Sequence, residues 1–387
     1  MGLKKLCTFP SARMAVTYLL ARYKDLAIVD CSTGGHVLFN FGHSSRLSDE
    51  LYISNIFSAP LTDNDISLGN YDILLDVLYK IRDKGFKNIV IVQSAIGSII
   101  NIDYDLVLMK FKMKNIFILN IKLNADFYVA VGKSIIEIYK HIKEKNFKGY
   151  KGDGFCILGS NFSFQGKINH RYLVNLIENK FLEKCKFDNL NDFKFNNFKN
   201  IFNSKFNIIT SMSLLGIGKQ LNENCGIPYI YFSGIGIQEE IKFIEEVSKT
   251  LLMKTQKTKD CSYDYVFQQF KNIIQHTKLR IVCYMDEDIL FGLRGFFNRF
   301  DNCVIEYYCF HNSLQEKYME CNEFIEKFKN QECCIISNSE ICSYFNKGVV
   351  LDYLGLSYRL LTPEYPPTIG RSGAYNLMKS IVDCILD

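Results

Sequence analysis

The sequence predicts an α/β protein built from three doubly wound, Rossmann-like parallel-sheet domains. Three observations predict it. Short apolar runs rich in β-branched residues recur along the 387 residues. Segments with helical periodicity separate them, and the whole pattern starts afresh twice. Strands that are apolar almost throughout belong to parallel sheets covered on both faces, and the intervening amphipathic segments are the helices that cover them.

The elements follow in order. "DLAIVD" (25–30) reads as the first strand. In "NYDILLDVLYKIRDKG" (70–85), Ile73, Leu74, Val77, Leu78 and Ile81 form one helical face that ends at Gly85. "KNIVIVQS" (87–94) and "NIFILNIKL" (115–123) are strands, and "YVAVGKSIIEIYKHIKEK" (128–145) is a helix. The pattern restarts at "GFCILGS" (154–160), followed by the helix "NHRYLVNLIENKFLEKC" (169–185). "FNIITSMS" (206–213) leads into a helix, and "GIPYIYFSGIGIQEEIKFIEEVSKTLL" (226–252) gives strand, glycine turn and helix. It restarts again at "LRIVCYMDEDILFGLRGFFNRF" (279–300), continues through "CVIEYY" (303–308) and "ECCIISNSEICSYFNKG" (332–348), and closes with the helix "AYNLMKSIVDCIL" (374–386). The Asn-, Lys- and Phe-rich "KFDNLNDFKFNNFKN" (186–200) reads as a surface insertion. Domains are expected at 1–148, 149–275 and 276–387. The repetition is architectural, without a sequence period.

Composition narrows the function. With 48% apolar and 14% aromatic residues, the chain buries ample core. Its net charge of +5 comes from interspersed charges, with no basic cluster dense enough for nucleic acid. Pro10 and Arg13 interrupt the signal-like start "MGLKKLCTFPSARMAVTYLLA", and no run approaches the roughly 18 apolar residues of a membrane span. A cytoplasmic protein is expected. Its 14 cysteines are then reduced, and each is a small core residue or a ligand. Cys156, Cys283, Cys333 and Cys334 lie in strand-like runs and read as core. Adjacent Cys333 and Cys334 point to opposite sheet faces and cannot chelate one ion.

In open α/β sheets ligands bind beyond the carboxyl ends of strands. The loops there are "VDCSTGGHVLFNFG" (29–42), "VQSAIGS" (92–98), "ILGSNFS" (157–163), "YFSGIG" (231–236) and "ISNSE" (336–340). The first combines Cys31, Gly34, Gly35 and His36, and reads as a structural turn, a nucleotide loop or a metal-cluster loop. The nucleotide reading is the weakest. Gly132-Lys133-Ser134 ends like a phosphate loop, but Phe127 stands where that loop needs its first glycine, and the segment is helix interior. No nucleophile elbow and no Cys-x-x-Cys pair is present.

A dispersed set of segments resembles the nitrogenase component 1 superfamily: nitrogenase subunits, cofactor-assembly scaffolds and tetrapyrrole-reducing relatives. "LCTFPSARMAVTYLLARYKDLAIVDCSTGGHVLF" (6–39) looks like that family's opening, with an early cysteine, a helix of small residues, a strand and a glycine turn. "SAPLTDNDISLGN" (58–70) is similar to the next family segment through Ser58, Asp65 and Gly69, with Asp63 in place of the usual Glu. "VQSAIGSIINID" (92–103) matches the third cluster loop, with Asp103 at its acidic position. "NIITSMSLLGIGKQLNENCGIPYIYF" (207–232) resembles the middle-domain segment, and "PPTIGRSGAYNLMKSIVDCI" (366–385) the C-terminal Gly-x-x-Gly-Ala helix, through Gly370, Gly373 and Ala374.

The resemblance implies three Rossmann-like domains of the nitrogenase component 1 type. It also implies an iron–sulfur cluster shared with a paralogous subunit or a second copy. Electrons would come from a separate ATP-dependent iron–sulfur reductase; neither nucleic acid nor membrane is implied. Cys7 takes the first ligand position, and His36 or Cys31 the second. Ala95 at the third cannot ligate, so a partner would supply what is missing. Gly34, Gly35, Ser94 and Thr210 take the positions that approach a cofactor, and Thr210 stands where nitrogenase has the cysteine of its active-site cluster. The alternative is a non-catalytic partner or assembly scaffold that has lost its ligands, its glycine loop kept as a packing turn. Thr210 argues against dinitrogen reduction and leaves tetrapyrrole, thioether and other reductions open.

Overall fold

The computed structural model describes residues 16–31 (18 apart), 53–62, 71–93, 103–111, 115–120, 127–146, 152–161, 164–253, 261–300 (278 apart), 303–310, 317–352 and 367–386. Within them the chain forms three four-stranded sheets, every pairing parallel. The first holds β1 (Leu26–Cys31), β2 (Ile56–Ser58), β3 (Asn88–Gln93) and β4 (Ile116–Asn120), with helices α1 (Asp72–Asp83), α2 (Tyr104–Phe111) and α3 (Phe127–Asn146). The second holds β5 (Phe155–Leu158), β6 (Cys185–Asp188), β7 (Phe206–Ile209) and β8 (Tyr229–Tyr231), with α4 (Phe164–Phe181), α5 (Leu215–Cys225) and α6 (Ile237–Thr250). The third is preceded by α7 (Cys261–Thr277) and holds β9 (Arg280–Met285), β10 (Val304–Cys309), β11 (Cys334–Asn338) and β12 (Gly348–Asp352). Its helices are α8 (Glu287–Phe297), α9 (Cys321–Phe328) and the C-terminal α10 (Gly370–Leu386).

The strand orders are β2-β1-β3-β4, β6-β5-β7-β8 and β10-β9-β11-β12. One topology is thus used three times, which accounts for an architectural repeat without a sequence period. By contacts the chain divides into two compact units. One contains the first sheet and residues 191–203; the other contains residues 151–190 and 204–387, hence the second and third sheets.

In the first unit, Ala27, Val29 and Cys31 of β1 share a core with Leu74, Leu78 and Ile81 of α1. These helix positions recur at four and three residues, as one buried face requires. Ile73, placed on that face from sequence, is 37% exposed. It lies one residue, and so about 100°, from Leu74. Gly132, Lys133 and Ser134 fall inside α3, where the Ser134 hydroxyl donates to the Ala130 carbonyl at 2.8 Å and Lys133 is exposed. That is helix interior, as the sequence indicates.

The surface-insertion reading of 186–200 is corrected. Its first residues belong to β6, and 195–202 form a 3-10 helix with Phe195, Phe198, Ile201 and Phe202 buried. The Asp25 carboxylate accepts the backbone N–H groups of Phe195 at 2.6 Å and Asn196 at 3.0 Å, satisfying donors at the start of that helix. Phe195 stacks on Phe117 at 5.7 Å between ring centroids, and Phe202 on Tyr139 at 5.5 Å. Phe195 and Phe198, two of the phenylalanines that made the segment look biased, are buried in the first unit, and Phe187 is buried in β6.

In the second unit, the apolar face of α10 packs with β9, β11 and β12, and Cys283 and Cys334 belong to that core. Cys333 lies in the separate cluster with Phe324 and Phe328, on the opposite face from Cys334. Cys156 is fully buried in β5. All four expected core cysteines are buried.

Candidate functional site

In each sheet the chain leaves the first strand toward one side and the third toward the other, so a crevice opens where these two neighbours end. In the second sheet these strands are β5 and β7. They are followed by Gly159-Ser160 and by Thr210-Ser211, and the Thr210 N–H donates to the Leu158 carbonyl at 2.9 Å.

Helix α4 brings His170 to this point and β6 brings Asp188. His170 Nδ1 lies 2.6 Å from Asp188 Oδ1, and His170 Nε2 lies 2.8 Å from Thr210 Oγ1. The same Asp188 oxygen accepts the Leu190 N–H at 2.9 Å. An ionised carboxylate only accepts, so it draws the imidazole proton to Nδ1, and Nε2 shares the single Thr210 hydroxyl proton with the Leu158 carbonyl, 3.3 Å from the same oxygen. His170 and Asp188 are 2% and 7% exposed, whereas Thr210 is partly exposed. A β-carbon on residue 159 would stand 2.4 Å from Thr210 Oγ1 and 2.5 Å from His170 Nε2, so only glycine fits beside the pair. Both backbone groups of Gly159 are held by the Asn189 side chain at 2.8 Å.

The opposite wall comes from the third sheet. Asp286, directly after β9, caps α8 by accepting the Asp288 N–H at 2.9 Å. Asp288 then accepts the Ser211 hydroxyl at 2.7 Å, the Met212 N–H at 2.7 Å and the Tyr231 hydroxyl at 3.0 Å. Burial, and next the Asp286 carboxylate, push Asp288 from the ordinary carboxylate range up to about 7. Burial and the nearby Asp288 hold the Tyr231 hydroxyl protonated well above its ordinary range. The Ser160 and Ser211 hydroxyls lie 2.6 Å apart.

A third wall is the turn into α10. The Gly370 N–H donates to the Gly234 carbonyl at 2.8 Å, and the Gly236 N–H to the Gly370 carbonyl at 2.9 Å. Asn169 of α4 accepts the Thr368 N–H at 2.8 Å and donates to its hydroxyl at 2.9 Å. The glycines of 370–374 have distinct reasons. Gly370 adopts φ of +63°, and a β-carbon on Gly373 would meet the Thr368 carbonyl carbon at 2.3 Å. Ala374 is fully buried in the core.

The walls enclose a cleft of about 520 Å³, counting its open mouth. Thr210, His170, Asp286 and Asp288 give it polar groups, and Phe232, Ile235, Ile289 and Ile369 an apolar floor. Among the described residues that line it there is no Lys, Arg or Cys.

Three open parallel sheets of one repeated topology, with a polar cleft at strand ends, define a multi-sheet α/β fold. Two solved structures share it along the whole chain. One described as nitrogenase Cp1 at pH 6.5 superposes with a TM-score of 0.73 at 14% identity, covering 100% of this chain and 95% of that one. One described as nitrogenase Cp1 at pH 5 gives a TM-score of 0.65 at 12% identity, covering 99% and 90%. No curated protein matches the sequence. The family described as nitrogenase component 1 type oxidoreductase matches residues 11–341, and the chain belongs to it. No helix among the described residues is long and apolar enough to cross a membrane.

Of the residues picked out by sequence, Cys7, Gly34, Gly35, His36 and Ser94 lie outside the described residues. Cys31 is the last residue of β1, opposite Gln93 of β3, and is 1% exposed in the apolar core with Val29, Ala59 and Leu74. It therefore sits at the crevice of the first sheet, at the end of the strand that corresponds to β5 in the second. Among the described residues no three His, Cys, Asp or Glu groups converge to hold a metal ion. Thr210 offers a hydroxyl already paired with His170, so the donor set of the cleft does not fit a thiolate-held cluster. Sequence reading missed His170, Asp188, Asp286 and Asp288. His170 stands mid-helix, and Asp188 lies inside the stretch read as an insertion. Only the pairings of β5 with β6 and β7 bring them to Thr210.

Proposed function

We propose that the chain is one subunit of a nitrogenase-like two-component oxidoreductase. It would receive electrons from an ATP-dependent iron–sulfur reductase, through an iron–sulfur cluster shared with a paralogous subunit or a second copy. Family membership and the whole-length fold likeness support the class. The observation that carries the reading is that β1 ends at Cys31 beside the end of β3 at Gln93, the two strand ends after which the resemblance expects cluster ligands. The burial of Cys31 among apolar side chains favours Cys7 and His36 over Cys31 as this chain's ligands.

A non-catalytic partner or assembly scaffold is the second reading, favoured by the pairing of Thr210 with His170 where the resemblance would place a thiolate. One experiment separates them. Purified anaerobically with its paralogue, a reductase subunit yields a brown complex with near-stoichiometric iron and sulfide, and Cys7→Ala and His36→Ala each lower that iron. Full iron retained in both variants removes the ligand assignment, and a colourless complex supports the second reading.

A further inference from the structure

Thr210, His170 and Asp188 stand to one another as nucleophile, base and orienting acid, and we propose that the cleft is an acyl-transfer site with Thr210 as its nucleophile. This activity does not depend on the electron-transfer reading above.

A hydroxyl is a weak nucleophile until a base sits within hydrogen-bond reach and a third group orients that base. Both conditions hold, at 2.8 Å and 2.6 Å. The Leu190 N–H on Asp188 fixes the carboxylate, and the burial of His170 and Asp188 keeps bulk water from the base. Thr210 and His170 both line the cleft, and Thr210 is the more exposed of the two. A buried imidazole needs a partner for each of its nitrogens, but it does not need a neighbour restricted to glycine with both backbone groups clamped, as Gly159 is by Asn189.

The step balances within the site. Thr210 Oγ bonds to the acyl carbon as its O–H bond breaks, and His170 Nε2 takes the proton. The bond from the acyl carbon to the departing alcohol or thiol then breaks, and His170 returns the proton to that group. Water repeats the sequence on the Thr210 ester and restores the hydroxyl; no electrons are exchanged. The described lining of the cleft carries the carboxyl groups of Asp286 and Asp288 and no Lys or Arg that would pair with an anion. A neutral or cationic ester or thioester therefore suits it, and an anionic one does not.

The full chain treated with an uncharged alkyl fluorophosphonate should gain one adduct, located on Thr210 by peptide mapping. 4-Nitrophenyl acetate should give a burst of one equivalent of nitrophenolate. Thr210→Ser should retain labelling and Thr210→Val lose it. His170→Gln should slow labelling at least about 100-fold, and Asp188→Asn roughly 10⁴-fold. The anionic 4-nitrophenyl hemisuccinate should react more slowly than the acetate; equal rates overturn the charge preference. An unlabelled wild-type chain, or an adduct on Ser160 or Ser211 instead, overturns the proposal without reliance on any variant.

Discussion

Asp288 accepts the Ser211 hydroxyl at 2.7 Å, so a carboxylate beside the third sheet is tied to the loop that carries Thr210 from the second. Met212 and Tyr231 donate to the same carboxylate, which fixes the two walls of the cleft to each other.

Burial of that carboxylate beside Asp286 has a pH signature. Asp288 is raised to about 7 in the folded protein from an ordinary value of 3.8. A raised carboxylate contributes stability fully below its unfolded pKa and loses it as pH rises through the folded one. Asp288→Asn keeps an acceptor for the Met212 N–H and removes the ionisation. Its stability relative to wild type should climb between about pH 4 and 7 and level off above, by a few kcal/mol in all. Denaturant melts of both proteins across that range measure it, and a difference that stays flat contradicts the assignment.

Gly159→Ala should destabilise the second unit by about 1–3 kcal/mol, because the new methyl meets a hydroxyl and an imidazole that are held in place. The His170 ring resonances should move with it in NMR spectra. Unchanged stability and unchanged His170 signals would mean that the pair is not packed against this backbone.

Phe198→Ala should cost about 3–5 kcal/mol, as for a fully buried aromatic ring. Asp25→Ala, which leaves the Phe195 and Asn196 N–H groups without their acceptor, should cost about 1–3 kcal/mol. Chemical denaturation reads both. Losses below 0.5 kcal/mol, usual for surface changes, would return the segment to the surface.

The helix α1 offers a paired comparison. Leu78 is fully buried and Leu78→Ala should cost about 2–5 kcal/mol. Ile73→Lys, at a 37% exposed position, should change stability by no more than about 0.5 kcal/mol. Equal losses at the two positions would contradict the face that α1 buries.

Much of the fold is legible in the residues. Runs such as "NIVIV" and "GFCIL" are apolar at every position because both faces of each sheet are covered, and that pattern is local. The burial of Cys333 and Cys334 on opposite faces follows from strand geometry alone. The stretch 186–200 misleads because its Asn and Lys outnumber its apolar residues. The 3-10 spacing of Phe195, Phe198 and Ile201, with the Asp25 cap 170 residues away in sequence, turns those few inward.

By itself the sequence determines the α/β class, most of the strands and helices, the cysteines that belong to the core, and the family resemblance that the fold bears out. These depend on near neighbours in the chain, whose periodicity and polarity set local structure. Only the tertiary structure decides that His170, Asp188 and Thr210 meet and that Asp288 braces them. Strand order brings together groups 18, 22 and 78 residues apart, and no spacing along the chain encodes a distance across a sheet.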